Sequence, residues 1–198
     1  MALIVRMEAP FKAIPELVAY AKANPDKVTY ASTGLGSTNQ LAAEFLAAES
    51  GGLKLIHVPY RGGAPAIADV AAGNVDLFFA NVSEIMSMVR GGKVRALALA
   101  ATRPSPIAPE LPLLTKDIPA LDISNWFGLV GPAALPADIK AALAKLFLEA
   151  MADPSNKETF DKQGLEPMGQ GPEAFASYIQ KDRERWAKVV KAGNIKAE

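Results

Sequence analysis

The sequence predicts an α/β fold whose parallel sheet is covered by helices on both faces. Three observations carry this. Nearly continuous apolar runs such as VDLFF and VRALALAA alternate with stretches of helical period, Pro and Gly punctuate the helix ends, and polar, glycine-containing turns join strands to the helices that follow. Strands that are apolar throughout are buried on both faces, which is the pattern of sheets built from strand–helix–strand units.

Taken in order, MALIVRM reads as a strand, and ELVAYAKANPD as a helix ended by Pro25. KVTYAS is the next strand; Leu41, Ala42, Phe45 and Leu46 then fall at helical spacing up to the stop at Gly51-Gly52. Strand LKLIHVPY, helix APAIADVAA, strand VDLFFANV, helix SEIMSMVRGG and strand VRALALAA follow. From Thr102 to Leu121 five prolines in twenty residues, with no sustained period, mark an irregular connection that ends one lobe.

Beyond it ISNWFGLVGP resembles a strand, and Pro136 opens a helix with Ile139, Leu143, Leu146, Phe147 and Ala150 on one stripe. A short helix KETFDKQG and a short strand LEPMG lead to a last long helix that starts near Pro172. Phe175, Tyr178, Ile179, Trp186 and Val190 form its buried face, and the final NIKAE is expected to fray.

Composition excludes several classes of partner. The chain has 198 residues, 50% hydrophobic and 21% charged, so it is long enough for a sizeable core and does not have the profile of disorder. Lys plus Arg and Asp plus Glu are equal at 21 each, which removes the electrostatic footprint of a nucleic-acid or anionic-membrane binder, a local basic patch apart. The absence of cysteine excludes disulfides, thiolate chemistry and cysteine-ligated zinc. MALIVRM has no basic n-region and no small-residue cleavage site after it, so it is not a signal peptide, and no run approaches the ~18 apolar residues of a membrane helix.

Three turns carry candidate binding chemistry. In YASTGLGSTNQLAAEFL a strand ends at Ser32, Gly34 and Gly36 let backbone approach a ligand, and Ser37 and Thr38 stand where a helix begins. A helix N-terminus offers unpaired N–H groups and a positive dipole end, and the two hydroxyls can bond a carboxylate. The stretch is neither a Walker A loop nor a dinucleotide fingerprint, since Asn39 stands at the third glycine position. An ordinary helix-entry turn with a Ser or Thr cap accounts for the same residues.

In HVPYRGGAPA, Arg61 is able to pair a carboxylate bidentately with help from the Gly62-Gly63 amides, or to be an ordinary surface Arg. His57, the only histidine, reads as structural within its strand. In NVSE, Asn81 ends a strand, with Ser83 as a cap for the next helix. Ser32, Tyr60 and Asn81 therefore all fall at carboxyl ends of strands, where open α/β sheets gather their ligands. Catalytic constellations are missing. There is no G-x-S-x-G elbow, no H-E-x-x-H and no defensible carboxylate pair, which favours binding without chemistry and no cofactor.

The run from YASTGLGSTNQ through HVPYRGG to VDLFFAN, then GGKVRALALAATRPSP, NWFGLVGPAALPADI and RWAKVVKAGNI, resembles the solute-binding receptors of tripartite tricarboxylate transporters, the Bug family, in order over nearly the whole chain. The resemblance implies a type II, Venus-flytrap receptor of the periplasmic binding protein kind with no catalytic activity. Such a receptor closes on a small carboxylate and delivers it to a membrane permease. It also implies a periplasmic location, although no signal peptide is present in this chain. The ligand would be held by Ser32, Gly34, Gly36, Ser37 and Thr38, with Tyr60, Arg61 and Asn81 beside them. A ligand-sensing regulatory module of the same fold is the alternative, and a small α/β enzyme a weaker one.

Three departures from the family pattern stand out: Gln40 replaces a usual His, Leu135 a Thr that often caps the helix at Pro136, and the family's N-terminal segment, about a third of a mature receptor, has no counterpart. On this basis residues 10–120 are expected to form a nearly complete lobe, and residues 1–9 with 121–198 the family's first lobe in incomplete form, with crossings near Ala9 and Asn125. ALIVRM, deprived of neighbours, is expected to become an apolar edge strand through which Met1–Met7 self-associate.

Overall fold

The computed structural model describes residues 1–192 and Ile195. The chain divides into two compact units, one of Met1–Asn125 with the described residues from Ala187 on, the other of Trp126–Trp186.

The first unit is a five-stranded sheet with helices on both faces. Its elements are β1 (Ala2–Arg6), α1 (Ile14–Ala23), β2 (Val28–Ser32), α2 (Thr38–Glu49), β3 (Leu55–Pro59), α3 (Gly63–Ala72), β4 (Leu77–Ala80), α4 (Val82–Arg90) and β5 (Val94–Leu99), in strand order β3-β2-β4-β1-β5. β2 runs parallel to both β3 and β4, so the ends of all three point the same way. Ala2, Ile4, Ala31, Phe78, Ala80 and Leu99 face a core shared with Ala66, Ile67 and Val70 of α3 and Ile85 of α4. Leu3, Val5, Leu77 and Phe79, fully buried, alternate to the opposite face, and α2 packs on β2 and β4.

β1 corrects two expectations. The sheet is mixed, because β1 pairs antiparallel with β4 on one side and β5 on the other, with a register shift between Leu3 and Ile4. Nor is β1 an edge or a part of the other lobe. Met1 to Val5 are all buried, and the flanking strands that residues 1–9 were expected to lack are β4 and β5 of this same unit. An apolar run reports burial on two faces and says nothing about strand direction or about which strands lie alongside.

The remainder of this unit, 100–125, is irregular. A 3-10 turn at Leu114–Lys116 and the buried Leu111, Leu114, Leu121 and Ile123 give it its own anchors. The Ile123 N–H donates to the Ala100 carbonyl at 3.0 Å, which brings the following residues to the end of β5.

The second unit contains α5 (Ala137–Ala152), α6 (Pro154–Gln163) and most of α7 (Pro172–Ala192). The expected strands ISNWFGLVGP and LEPMG do not form, since neither segment has a ladder partner among the described residues. Trp126 is instead fixed by side chains: its indole N–H donates to Asp182 at 2.8 Å, and its ring meets Phe175 and Tyr178 edge-on. α6 is capped by Asp153, whose carboxylate accepts from the Ser155 N–H and is held below its ordinary range by that bond. α5 starts at Pro136 with no side-chain cap, and its stripe of Ile139, Leu143, Leu146 and Phe147 is 41–62% exposed. On α7 the expected inner residues are half-buried, and Val189 is the buried one. The expectation for residues 194–198 lies, Ile195 apart, outside the described residues.

Candidate functional site

β2, β3 and β4 are adjacent and parallel, so Ser32, Tyr60 and Asn81 come to one edge of the sheet, each at the point where its strand gives way to a helix-entry turn. The β2–α2 turn is the most developed of the three. Gly34 and Gly36 have φ of 126° and 72°, a region that side chains disfavour, and a Cβ at either would meet nothing within 4 Å. Backbone conformation rather than crowding makes these positions glycine. Leu35 between them is half exposed.

Three bonds hold the backbone N–H groups of this turn. The Gly34 N–H donates to Ser32 Oγ at 3.1 Å, the Gly36 N–H to Gln40 Oε1 at 2.7 Å, and the Ser37 N–H to the Gly34 carbonyl at 3.3 Å. Gln40 thus braces the turn, its side chain reaching back from the first turn of α2 to the glycine loop. Asn39 anchors the other side, accepting from Thr33 Oγ1 at 2.7 Å and donating to the Phe79 carbonyl of β4 at 2.6 Å.

What remains uncommitted is at the tip. Ser37 caps α2, accepting from the Gln40 N–H at a long 3.4 Å, and no bond from its own hydroxyl proton is seen. Among the described residues the Thr38 hydroxyl and the Thr38 and Asn39 amides have no acceptor. Two hydroxyls and two amides on the positive end of a twelve-residue helix suit an oxyanion. Ser32 differs from these. It is fully buried, its Oγ bonds His57 Nε2 at 2.6 Å, and it meets Gly34 through both N–H and C=O, so it shapes the turn from behind.

The other two turns flank this one. The Tyr60 N–H donates to the Ser32 carbonyl at 2.9 Å, tying the second turn to the first. Its phenol donates to Asp69 at 2.7 Å, and partial burial together with that carboxylate pushes the phenol up to about 12, so the group is a committed donor at neutral pH. Arg61 is exposed and makes no ion pair among the described residues, which leaves a cation beside the edge. Asn81 is the N-cap of α4, where Ser83 was read as the cap. Its amide donates to Glu84 at 3.1 Å, and its carbonyl accepts from Asn125 at 2.8 Å.

Asn125, Gln40, Asn39 and His57 all belong to this edge without having been singled out as site residues. Only His57 and Gln40 carried a signal, as the lone histidine and as a departure from a family pattern. Among the described residues no group of His, Asp and Glu could hold a metal ion.

The chain matches the family described as tripartite tricarboxylate transporter family receptor (TctC) over residues 1–195. It belongs to that family. A UPF0065 protein of Pseudomonas sp., from the tcbD-tcbE intergenic region, is 32% identical over 190 residues, which cover 95% of this chain and 56% of that protein. Protein BugT of Bordetella pertussis is 27% identical over 99% of this chain and 60% of its own length.

Solved structures of TctC and Bug receptors share the fold. R. palustris Rpa4515 with adipate superposes with a TM-score of 0.87 at 27% identity, over 98% of this chain and 65% of that one. The periplasmic binding protein BugD gives 0.85 at 28% identity, over 100% and 67%. MatC of Rhodopseudomonas palustris with bound malate gives 0.82 at 26%, over 96% and 65%. This TctC receptor chain thus spans 56% to 60% of the length of the two curated relatives named here.

Proposed function

We propose that this chain is the binding part of an extracytoplasmic, periplasmic receptor for a small organic carboxylate, which it hands to the membrane permease of a tripartite tricarboxylate transporter. One observation carries the reading: the tip of the β2–α2 turn presents the Ser37 and Thr38 hydroxyls and the Thr38 and Asn39 amides with no acceptor among the described residues, at the carboxyl edge of parallel strands. The family match and the adipate and malate held by the neighbours Rpa4515 and MatC support the ligand class.

In this reading Gly34 and Gly36 permit the backbone path, Ser37 and Thr38 bond the carboxylate, and Arg61 and Asn81 add charge and polarity from the adjoining turns. Tyr60 supports the edge through Ser32 and Asp69. In this reading the receptor binds and releases its ligand, which the family match and the binding-protein neighbours support. Calorimetric titration of the chain with adipate, malate, citrate and a neutral diester of each is the test. Heat from at least one free acid and none from its ester is expected; no heat from any acid would remove the carboxylate reading.

A further inference from the structure

Behind the glycine turn lies a group that no ligand contact uses. His57 is the central residue of the edge strand β3 and pairs with Tyr30 of β2. Its ring stacks on the Tyr30 ring at 4.9 Å and 19°, and its Nε2 lies 2.6 Å from Ser32 Oγ. Tyr30 in turn donates its phenol proton to Glu44, one turn beyond Gln40 along α2. The ring therefore bears on both ends of the turn, through Ser32 where the chain leaves β2 and through Tyr30 and Glu44 on the helix it enters.

We propose that His57 is a positioning residue for ligand binding, setting the path of the Gly34-Leu35 peptide through the single proton of Ser32. A hydroxyl has one proton to give. When Nε2 is bare, that proton goes to His57, while Oγ accepts from the Gly34 N–H. When Nε2 carries a proton the ring donates instead, and Ser32 must direct its own proton to the Gly34 carbonyl, 3.2 Å away. That carbonyl already accepts from the Ser37 N–H, the first amide of the helix cap. The state of one imidazole is thereby written into the peptide that leads to Ser37 and Thr38.

The groups facing the ring are Tyr30 from β2 and Glu44 from α2. Burial holds the imidazole below its ordinary value, and the field of Glu44 opposes that, so the ring is neutral at neutral pH and gains its proton on acidification. This inference rests on the β2–α2 turn being the ligand contact, and its tests separate the two.

The first test uses the ligand-free chain. In two-dimensional NMR over about pH 5 to about pH 8, the Gly34 and Leu35 amides move with the midpoint of the His57 ring protons, while Gly51, at the far end of α2, does not. A ring that titrates while both amides stay still overturns the proposal.

The second test uses adipate as the probe. His57→Phe keeps the stack on Tyr30 and loses the bond to Ser32, so its affinity falls about fivefold, the size of one hydrogen bond, while His57→Gln, which restores a polar group, stays within about twofold of the parent. A Phe variant that binds like the parent, or a Gln variant as weak as the Phe variant, refutes a role acting through the hydrogen bond. If the parent binds none of adipate, malate and citrate, the carboxylate reading fails on that result, and the amide titration alone decides whether His57 sets the turn.

Discussion

Arg6, the last residue of β1, holds Asp76, just ahead of β4, with its Nε 2.7 Å from the carboxylate Oδ1. The other carboxylate oxygen accepts from the Thr29 N–H at 2.9 Å and the Thr29 hydroxyl at 3.0 Å, and the Asp76 N–H returns to that hydroxyl at 3.0 Å. One side chain thus joins β1, β2 and β4 at the edge of the sheet opposite the ligand turn. Asp76→Ala leaves a cation and two donors of largely buried groups without acceptors, and is expected to lower stability by about 2–3 kcal/mol. Urea unfolding measures it, and a loss below about 0.5 kcal/mol would contradict this account of the contact.

Ser37→Ala removes a hydroxyl from the tip of the turn and a weak cap from α2. Carboxylate affinity is expected to fall by about 1 kcal/mol, roughly fivefold, with a small change in stability. Calorimetry on the variant decides, and an unchanged dissociation constant would take Ser37 out of the site.

Stability depends on pH through His57. Burial holds its folded-state value below the ordinary 6.5. Between the two values the unfolded chain binds a proton that the folded chain refuses, so stability rises with pH through that window and is level with respect to this group above it. Relative to His57→Gln, the parent should lose ground in urea midpoint as pH drops below 6.5. Parallel midpoint curves for the two proteins would show that the imidazole keeps its ordinary affinity for protons.

Gly128 is locked against an aromatic ring. A Cβ added there would collide with Phe175 Cζ, and Phe175 already meets the Trp126 ring at 5.4 Å. Gly128→Ala must push Phe175 out of that packing, at about 1–3 kcal/mol, with a shift in Trp126 emission. Adding Phe175→Leu should restore part of the loss, and no partial rescue in the double variant would point away from this clash.

Exposed apolar groups of the second unit, rather than the buried Met1–Val5, are the surface expected to mediate any self-association. Phe127, Leu129 and Val130 are 77%, 59% and 74% exposed. In sedimentation at micromolar concentration, the double variant Phe127→Asp, Val130→Asp is expected to shift the chain toward monomer. Equal association of parent and variant would exclude this surface as the contact.

The α/β class, the order of the elements and the polar strand ends were legible because each rests on local patterns. Pro25 and Gly51 stop helices whatever lies around them, and the buried run LFFA declares a two-faced strand without reference to its neighbours. Pairing was not legible. Nothing in ALIVR tells whether β4 and β5 or some other strands flank it, or in which direction, since both arrangements bury the same side chains. NWFGLV has the composition of a strand, yet strand formation requires a partner, and composition does not supply one.

In the site, Ser37 and Thr38 could be read from their place before a helix. Ser32 is a candidate ligand contact by position alone, while its hydroxyl bonds His57, 25 residues away in the chain. Asn125 reaches Asn81 across a separation of 44 residues, beyond the reach of any local pattern.

The central place of β1 bears on how the molecule assembles. β2, β3 and β4 are parallel neighbours in a run of strand–helix–strand units, and they can pair through short crossovers as soon as the chain reaches Ala80. β5 has no neighbour among β2, β3 and β4, because its partner is the stretch at the opposite end of the unit, Ala2–Arg6, paired with it in the register Ala2↔Leu99. Closing so long a loop is slow relative to local pairing. β1 can join that layer through β4, so it is its other edge that stays open until the last strand arrives, and β5 closes the sheet late.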